Sequence, residues 1–186
     1  MRAIATLAAV LSFSFGLAGC GEGSSNDAAA DCVSSGVSEL GIKIEFPKQA
    51  CTFSLAQAAA GIDLAYQVVV ENDVSEMVPT GQSSCPAPGP SGLYVFERVS
   101  GAGQSYCICD TGLCPAPPST PVVIAQGTTS GTFSWDGTNW NGPSDTGNPK
   151  GPAFPPGKYT VVVSAKGSHA GNPYDIHGDF GITLTP

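Results

Sequence analysis

The sequence predicts an all-β protein, an antiparallel β-sandwich of about seven to nine strands, and three observations support this fold class. Gly and Pro supply 24 and 16 of the 186 residues while only 12% of residues are charged, which is typical of short elements joined by tight turns. Apolar and polar residues alternate along several short segments, as they do on strands with one buried face. No segment has a sustained helical period, and this argues against a parallel α/β sheet.

Eight strands follow from this alternation. Two segments show the pattern most clearly, and each places four apolar residues on one face. These residues are Leu40, Ile42, Ile44 and Phe46 in 37–46, and Leu64, Tyr66, Val68 and Val70 in 62–72. The other strands are predicted over 91–100, 105–109, 121–126, 131–135, 157–166 and 178–185. Residues 54–61, SLAQAAAG, predict one or two helical turns, which are too short to change the fold class.

The N-terminus has the features of an export signal. One cation, Arg2, precedes an uncharged apolar run over 3–15, which is shorter than the roughly 20 residues of a membrane-spanning helix. The quartet LAGC, which ends at Cys20, resembles the lipobox of bacterial lipoproteins. The resemblance implies a signal peptide over 1–19, acylation of Cys20 with palmitate or a similar chain and, since Gly21 follows, the outer membrane. The alternative is a secreted protein with an incidental cysteine.

The length and charge of the mature chain predict one acidic domain. Removing residues 1–19 leaves 167 residues and takes one of the seven cations but none of the 15 acids, so the net charge changes from −8 to −9. An acidic chain with no basic cluster is not expected to bind nucleic acid, and the lipid is then the means of attachment to the membrane. Residues 20–31 predict a flexible tether. Residues 32–186 predict the sandwich, with a Cys- and Pro-rich insert over 81–119.

The remaining cysteines predict disulfides, because an even number in an exported chain is typical of a disulfide framework. They are Cys32, Cys51, Cys85, Cys107, Cys109 and Cys114. Their spacing matches neither a zinc site nor a thioredoxin-like pair. Cys107 and Cys109 lie two apart on a predicted strand and share a face, so they are not expected to pair with each other. Of the fifteen possible pairings, we favour Cys32–Cys51, Cys85–Cys107 and Cys109–Cys114.

Segment 131–167 has the most distinctive pattern, a strand, a W-D-G turn, a polar loop and P-P-G-x-Y before another strand. Phe133 and Trp135 are expected in the core, and the Asp136 carboxylate is expected to accept hydrogen bonds from amides ahead of it. The pattern resembles Ig-like bacterial modules, including those of flagellar hook-capping proteins and of the intracellular subtilisin inhibitor. The resemblance extends over about 60–165 and implies an Ig-like sandwich.

The polar loop after the W-D-G turn supplies the candidate contacts with a protein partner, Asp136, Asn139 and Trp140. The Asp and Asn residues of the same loop, 136–149, also suggest a calcium site. The EF-hand spacing fails, because Thr138 and Trp140 stand two and four residues after Asp136. We therefore predict no metal there and interpret the loop as a turn with solvated side chains.

Two further patterns suggest catalytic or metal chemistry, and each is better explained without it. The Asp-Thr-Gly triplets at 110–112 and 145–147 match an aspartic protease signature, but neither follows the apolar strand that such a buried pair of carboxylates requires. Segment 167–180 contains His169 and His177 with two aspartates, which we interpret as solvated loop residues rather than metal ligands. No serine lies in a nucleophile-elbow motif.

The sequence therefore predicts a cell-envelope lipoprotein that acts as a non-enzymatic binding or structural module, with no catalytic residue and no cofactor. Its expected partners are the membrane, through the lipid, and a protein of the envelope. The first alternative is a protease inhibitor that presents the Cys-rich segment 81–119. The second is a metal-binding protein or enzyme that uses the loop of His169 and His177.

Overall fold

The computed structural model describes residues 32–79, 91–101, 104–107, 120–140 and 150–186, with the backbone alone for 104–107, 139–140 and 150. These residues form thirteen strands and one helix. The strands are β1 (Ser34–Val37), β2 (Ile42–Glu45), β3 (Thr52–Ser54), β4 (Ile62–Val70), β5 (Val74–Pro79), β6 (Phe96–Gly101), β7 (Gln104–Cys107), β8 (Val122–Ile124), β9 (Gly127–Trp135), β10 (Thr138–Trp140), β11 (Lys150–Ala153), β12 (Gly157–His169) and β13 (Asn172–Thr185). The helix, α1, spans Leu55–Ala60.

In the described part of the chain, eleven strands form the two sheets of an all-β sandwich, which confirms the predicted fold class. The β12–β13 hairpin is central to the larger sheet: β1 and β3 pair with β13, β5 and β6 pair with β12, β7 pairs with β6, and β8 pairs with β5. The smaller sheet has the order β2-β4-β9, and β10 forms a separate ribbon with β11. The pairings are antiparallel except for the parallel β3–β13 pair. The sequence did not predict five of these strands, which are β1, β3, β5, β10 and β11.

The core lies between the two sheets and is built by the alternation seen in the sequence. Every second residue of β4 is buried from Ile62 to Val70, and every second residue of β13 is buried from Tyr174 to Leu184. Phe133 of β9 is fully buried, as predicted. Each large apolar side chain that is buried in this way stabilises the fold by about 1.5–3 kcal/mol.

A tight turn divides the first predicted strand, 37–46, into two strands in different sheets. Glu39 and Ile42 pair across a two-residue loop in which Leu40 and Gly41 have φ of 56° and 69°. Two consecutive positive φ values are the geometry of a type I′ turn, and Gly41 adopts its conformation without steric strain. Leu40 is consequently 38% exposed rather than in the core.

The histidines were predicted to lie in a loop, but a second tight turn places them in strands. His169 and Asn172 pair across Ala170 and Gly171, whose φ values of 48° and 81° define another turn of this kind. Strands β12 and β13 therefore continue to the turn. His169 ends β12, and His177 lies within β13.

Helix α1 begins where the sequence predicts helical turns. The Ser54 hydroxyl accepts a hydrogen bond from the Gln57 backbone N–H at 3.1 Å, and the Gln57 side-chain carbonyl accepts one from the Ser54 N–H at 2.8 Å. This capping box satisfies two donors at the N-terminus of α1, and Gly61 ends the helix. Within the described ranges, no helix is both long and apolar enough to cross a membrane.

Candidate functional site

The W-D-G turn after β9 is held by its own side chains. The Asp136 carboxylate accepts hydrogen bonds from the Thr138 backbone N–H at 3.2 Å and from the Thr138 hydroxyl at 2.6 Å, which confirms the predicted role of this aspartate. The Trp135 indole N–H donates to the Thr138 carbonyl at 2.9 Å. Gly137 occupies the left-handed region at φ 73°. The turn is thus fixed by hydrogen bonds at both ends.

Three aromatic rings join this turn to the opposite sheet. Phe154 meets Trp135 edge-on with ring centroids 4.7 Å apart, and its centroid lies 5.2 Å from that of Tyr159. The Phe154 N–H donates to the Gly137 carbonyl at 2.8 Å, and the Tyr159 hydroxyl donates to the Pro155 carbonyl at 2.7 Å. We call Trp135, Phe154 and Tyr159 the aromatic clasp. It links β9 of the smaller sheet to β12 of the larger one, which explains the local pattern of W-D-G and P-P-G-x-Y.

The clasp holds the base of the β10–β11 ribbon. Thr138 pairs with Ala153 and Trp140 pairs with Lys150, with an irregularity between the two pairs. Two of the predicted partner contacts, Asn139 and Trp140, lie on this ribbon, and the third, Asp136, lies in the turn at its base. The residues that connect β10 to β11, 141–149, lie outside the described residues. The role of these residues as partner contacts stays a prediction.

One of the three predicted disulfides lies within the described residues and is present. Cys32 bonds to Cys51 with their Cα atoms 5.5 Å apart. This bridge joins the start of the fold to the residue before β3, where Thr183 donates its N–H to the Cys51 carbonyl at 2.7 Å. The predictions for Cys20, Cys85, Cys109 and Cys114 lie outside the described residues, and only the backbone of Cys107 is described, in β7. Those pairings stay predictions.

The histidine region forms a polar ladder on the outer face of the larger sheet. The two ring nitrogens of His177 lie 3.8 Å from carboxylate oxygens of Asp175 and Asp179 respectively, and Lys166 bonds to Asp175 at 2.9 Å. The imidazole separates the two carboxylates, so they do not converge on one point. No group of three or more potential ligands is placed to hold a metal ion in the described ranges. His169 lies apart, at the end of β12.

Part of the predicted insert 81–119 belongs to the sandwich itself. Leu93, Val95 and Val99 are buried, and β6 pairs with the central strand β12 over six residues. Its hairpin partner β7 extends the same sheet. The described portion of the segment is therefore a structural strand pair rather than an appendage on the surface.

Glu97 of β6 is a half-buried carboxyl group on the inner face of its strand that the sequence analysis did not single out. Burial raises the pKa of Glu97 to about 7, and the Tyr66 hydroxyl of β4 opposes part of that rise. Burial and the nearby carboxylate also raise the pKa of Tyr66. The signal was present in the sequence, since Glu97 alternates in phase with Val95 and Val99.

A shallow groove of about 270 Å³ lies between β1 and β2, at the open edge of the sandwich. Its lining includes the serines of β1 and two charged residues of β2, Lys43 and Glu45. These two side chains form an ion pair at 3.1 Å. The groove therefore presents hydroxyl groups, His177 and a mutually neutralised pair of charges.

No protein-family model matches this chain, and comparison with the curated proteins and with the solved structures finds no match. The resemblances to lipoproteins and to Ig-like modules thus rest on the residues quoted above.

Proposed function

We propose that this protein is a lipid-anchored module of the bacterial cell envelope that binds a protein partner and catalyses no reaction. The observation that carries this proposal is the aromatic clasp, which fixes the β10–β11 ribbon at one end of a rigid sandwich. Binding residues are commonly placed on surface segments that a rigid scaffold positions. Trp140 lies on this ribbon, and tryptophan is among the residues most enriched in binding hot spots.

The anchor in this proposal is acylated Cys20, with export directed by residues 1–19 and retention at the outer membrane. Two acyl chains suffice for stable anchoring, since each buried methylene contributes about 0.8 kcal/mol. The tether of residues 20–31 ends at Cys32, where the described fold begins. A flexible chain of that length has a root-mean-square reach of roughly 20 Å, which leaves the sandwich close to the membrane surface yet free to turn.

The anchor is tested by fractionating cells that express single cysteine variants. We expect Cys20→Ala to move the protein from the membrane fraction to the soluble fraction and to abolish incorporation of radiolabelled palmitate. Cys32→Ala is the cysteine control, because it removes a thiol that pairs with Cys51 and should leave a less stable protein still in the membrane fraction. Equal palmitate labelling of the Cys20→Ala protein contradicts the anchor.

The binding surface is tested by photocrosslinking in intact envelopes. A photoreactive residue at Trp140 of the full-length protein is expected to give a discrete adduct with an envelope protein. The control position is Thr128, which is exposed at the far end of β9, roughly 23 Å from the turn at 3.3 Å per residue. Equal adducts at both positions, or none at Trp140, contradict the proposed surface. Stoichiometric inhibition of a protease by the purified protein supports the inhibitor alternative instead.

A further inference from the structure

Strand β9 is the longest edge strand in the described part of the chain. It pairs with β4 on one side, and no described strand pairs with it on the other. Its nine pairs with β4, from Gly127 to Trp135, follow one another without a shift of register. The other described strands at sheet edges each span only three or four residues.

The pairing of β4 with its two neighbours shows which backbone groups of β9 face the open edge. The Glu71 N–H, directly after β4, donates to the Gly41 carbonyl, directly before β2, at 2.9 Å and so points to the β2 side. Because backbone groups of successive residues in a strand point to opposite sides, those of Tyr66 point to β9. Gly131, which pairs with Tyr66, points back to β4. The residues of β9 that face the open edge are therefore the alternate ones, Thr128, Ser130, Thr132 and Ser134.

This open edge has none of the features that usually keep edge strands apart. Natural edge strands are commonly protected by a charged side chain, a proline or a bulge. Strand β9 reads GTTSGTFSW, without a charged residue or a proline, and its pairing with β4 has no bulge. Its four edge-facing residues all carry small hydroxyl side chains, and all four are exposed. The edge is therefore suited to pair with another extended strand.

We propose that β9 pairs with β9 of a second copy of this chain, antiparallel about a two-fold axis at Gly131. The smaller sheets of the two copies then join into one continuous sheet of six strands, three from each copy. In this register Ser130 lies opposite Thr132 of the second copy, and Thr128 lies opposite Ser134. Each of the four edge-facing residues exchanges both of its backbone hydrogen bonds with the residue opposite, so each copy contributes four N–H donors.

The strand is complementary to itself in this register. On the exposed face of the sheet, every edge-facing hydroxyl meets a hydroxyl of the second copy, and cross-strand pairs of Ser and Thr stabilise sheets. At the axis, Gly131 meets the same glycine in the more closely spaced kind of antiparallel pair. Its own fold requires this glycine, because a Cβ atom there would lie 2.2 Å from the Tyr66 ring. A second copy is thus the partner that the strand itself specifies.

The acidic net charge of −8 does not oppose this contact, because the charges nearest to it lie far from the axis. Asp63 is the one charged residue of β4 and β9, and its carboxylate accepts a hydrogen bond from the Ser134 hydroxyl at 2.6 Å. Asp63 pairs three positions from Gly131, so the two copies of Asp63 are at least roughly 20 Å apart. That distance exceeds the Debye length of about 8 Å at physiological ionic strength.

Photocrosslinking of the full-length protein in whole cells tests the pairing. A photoreactive residue at Thr132 is expected to give an adduct of twice the protein's mass, with the crosslink mapped by mass spectrometry to the region of Ser130 in a second copy carrying a different tag. The control position is Lys43 of β2, two strands away from β9, which should give no such adduct. An adduct with a second copy is also expected from Thr128, and its mass distinguishes it from an adduct with another envelope protein. The pairing does not require acylation of Cys20, so it can fail or hold independently of the anchor.

Variants of Ser130 separate specific pairing from chance collisions. Ser130→Lys places a charge from each copy beside the axis and should lower the yield of the Thr132 adduct at least tenfold. Gln67→Lys is the matched control, because it adds the same charge to the residue of β4 that pairs with Ser130 and should leave the yield unchanged. Ser130→Pro removes an N–H that the single copy does not use in pairing with β4, and it deletes two hydrogen bonds from the dimer, so the association constant should fall roughly 10- to 100-fold. The absence of a homodimer adduct at Thr132, a crosslink outside β9, or an unchanged yield in Ser130→Lys overturns the proposal.

Discussion

Removing the disulfide between Cys32 and Cys51 perturbs the described fold at one defined point. Cys32 is exposed, whereas Cys51 is only 4% exposed and belongs to the core. Replacing Cys32 by Ser therefore removes the crosslink and leaves the packing intact. Replacing Cys51 by Ala removes the crosslink and a buried sulfur atom as well.

The magnitude follows from the loop that the bridge closes. The two cysteines are 19 residues apart, and the chain-entropy relation for a loop of that length gives a stabilisation of about 3 kcal/mol at 25 °C. We expect Cys32→Ser to lower the free energy of unfolding by that amount. Cys51→Ala should lower it by roughly 1 kcal/mol more, because a small buried group is also lost.

The assay is equilibrium unfolding in guanidinium chloride of the unchanged protein, the two single variants and the double variant, which has neither thiol. The two single variants and the double variant should all lose stability, with the unchanged protein highest. A loss below about 0.5 kcal/mol in Cys32→Ser would refute the reasoning. Such a result would mean that the crosslink does not restrict the unfolded chain or is not formed in the protein as isolated.

Three further predictions concern the core. The half-buried Glu97 should favour folding at low pH, because its pKa is about 7 in the folded state against 4.5 when unfolded. This contribution is complete below pH 4.5 and is lost as the pH rises through 7. The difference in unfolding free energy between Glu97→Gln and the unchanged protein should therefore change by up to about 3 kcal/mol between pH 4 and 8 in urea titrations, and a constant difference would disprove it. Gly131→Ala should lower the free energy of unfolding by about 1–3 kcal/mol, because the new methyl group clashes with the Tyr66 ring. The control is Gly157→Ala, whose Cβ would meet the Tyr159 ring at 3.5 Å and should change the free energy of unfolding by less than about 1 kcal/mol. Equal melting temperatures for these two variants would contradict the packing. Phe154→Ala should lose about 3–5 kcal/mol in denaturant titrations, because the clasp loses its middle ring, and a loss under 1 kcal/mol would show that the ring does not hold the ribbon.

Much of the fold could be predicted because a strand with one buried face needs apolar residues at alternate positions, and this alternation is visible in the sequence. Segment 62–72 predicted β4 nearly to its ends, since its apolar residues alternate without interruption. The alternation failed at Leu40, which continues the apolar pattern of β2 but lies in a turn that Gly41 permits. Strand β5 was missed because Glu76 adopts a positive φ and shifts the register between Val74 and Met77, which breaks the period of two.

The site was predicted less completely, because it depends on contacts between distant segments. Trp135 was expected in the core and Tyr159 in a strand, yet Phe154, which joins them, lies in a proline-rich stretch without any period. The inward position of Glu97 was not predicted, for a different reason. A glutamate is normally exposed, and alternation alone does not show that a tyrosine from the other sheet will meet it.

The central claim is that the chain is exported, cut before Cys20, acylated there and folded with its other cysteines oxidised. The most direct measurement is the intact mass of the protein extracted from the membrane fraction, taken with and without reduction. The account predicts a chain that begins at Cys20, carries acyl groups and gains the mass of added hydrogens on reduction. A chain that still begins at Met1, without acyl groups and with six free thiols beyond residue 31, would contradict it.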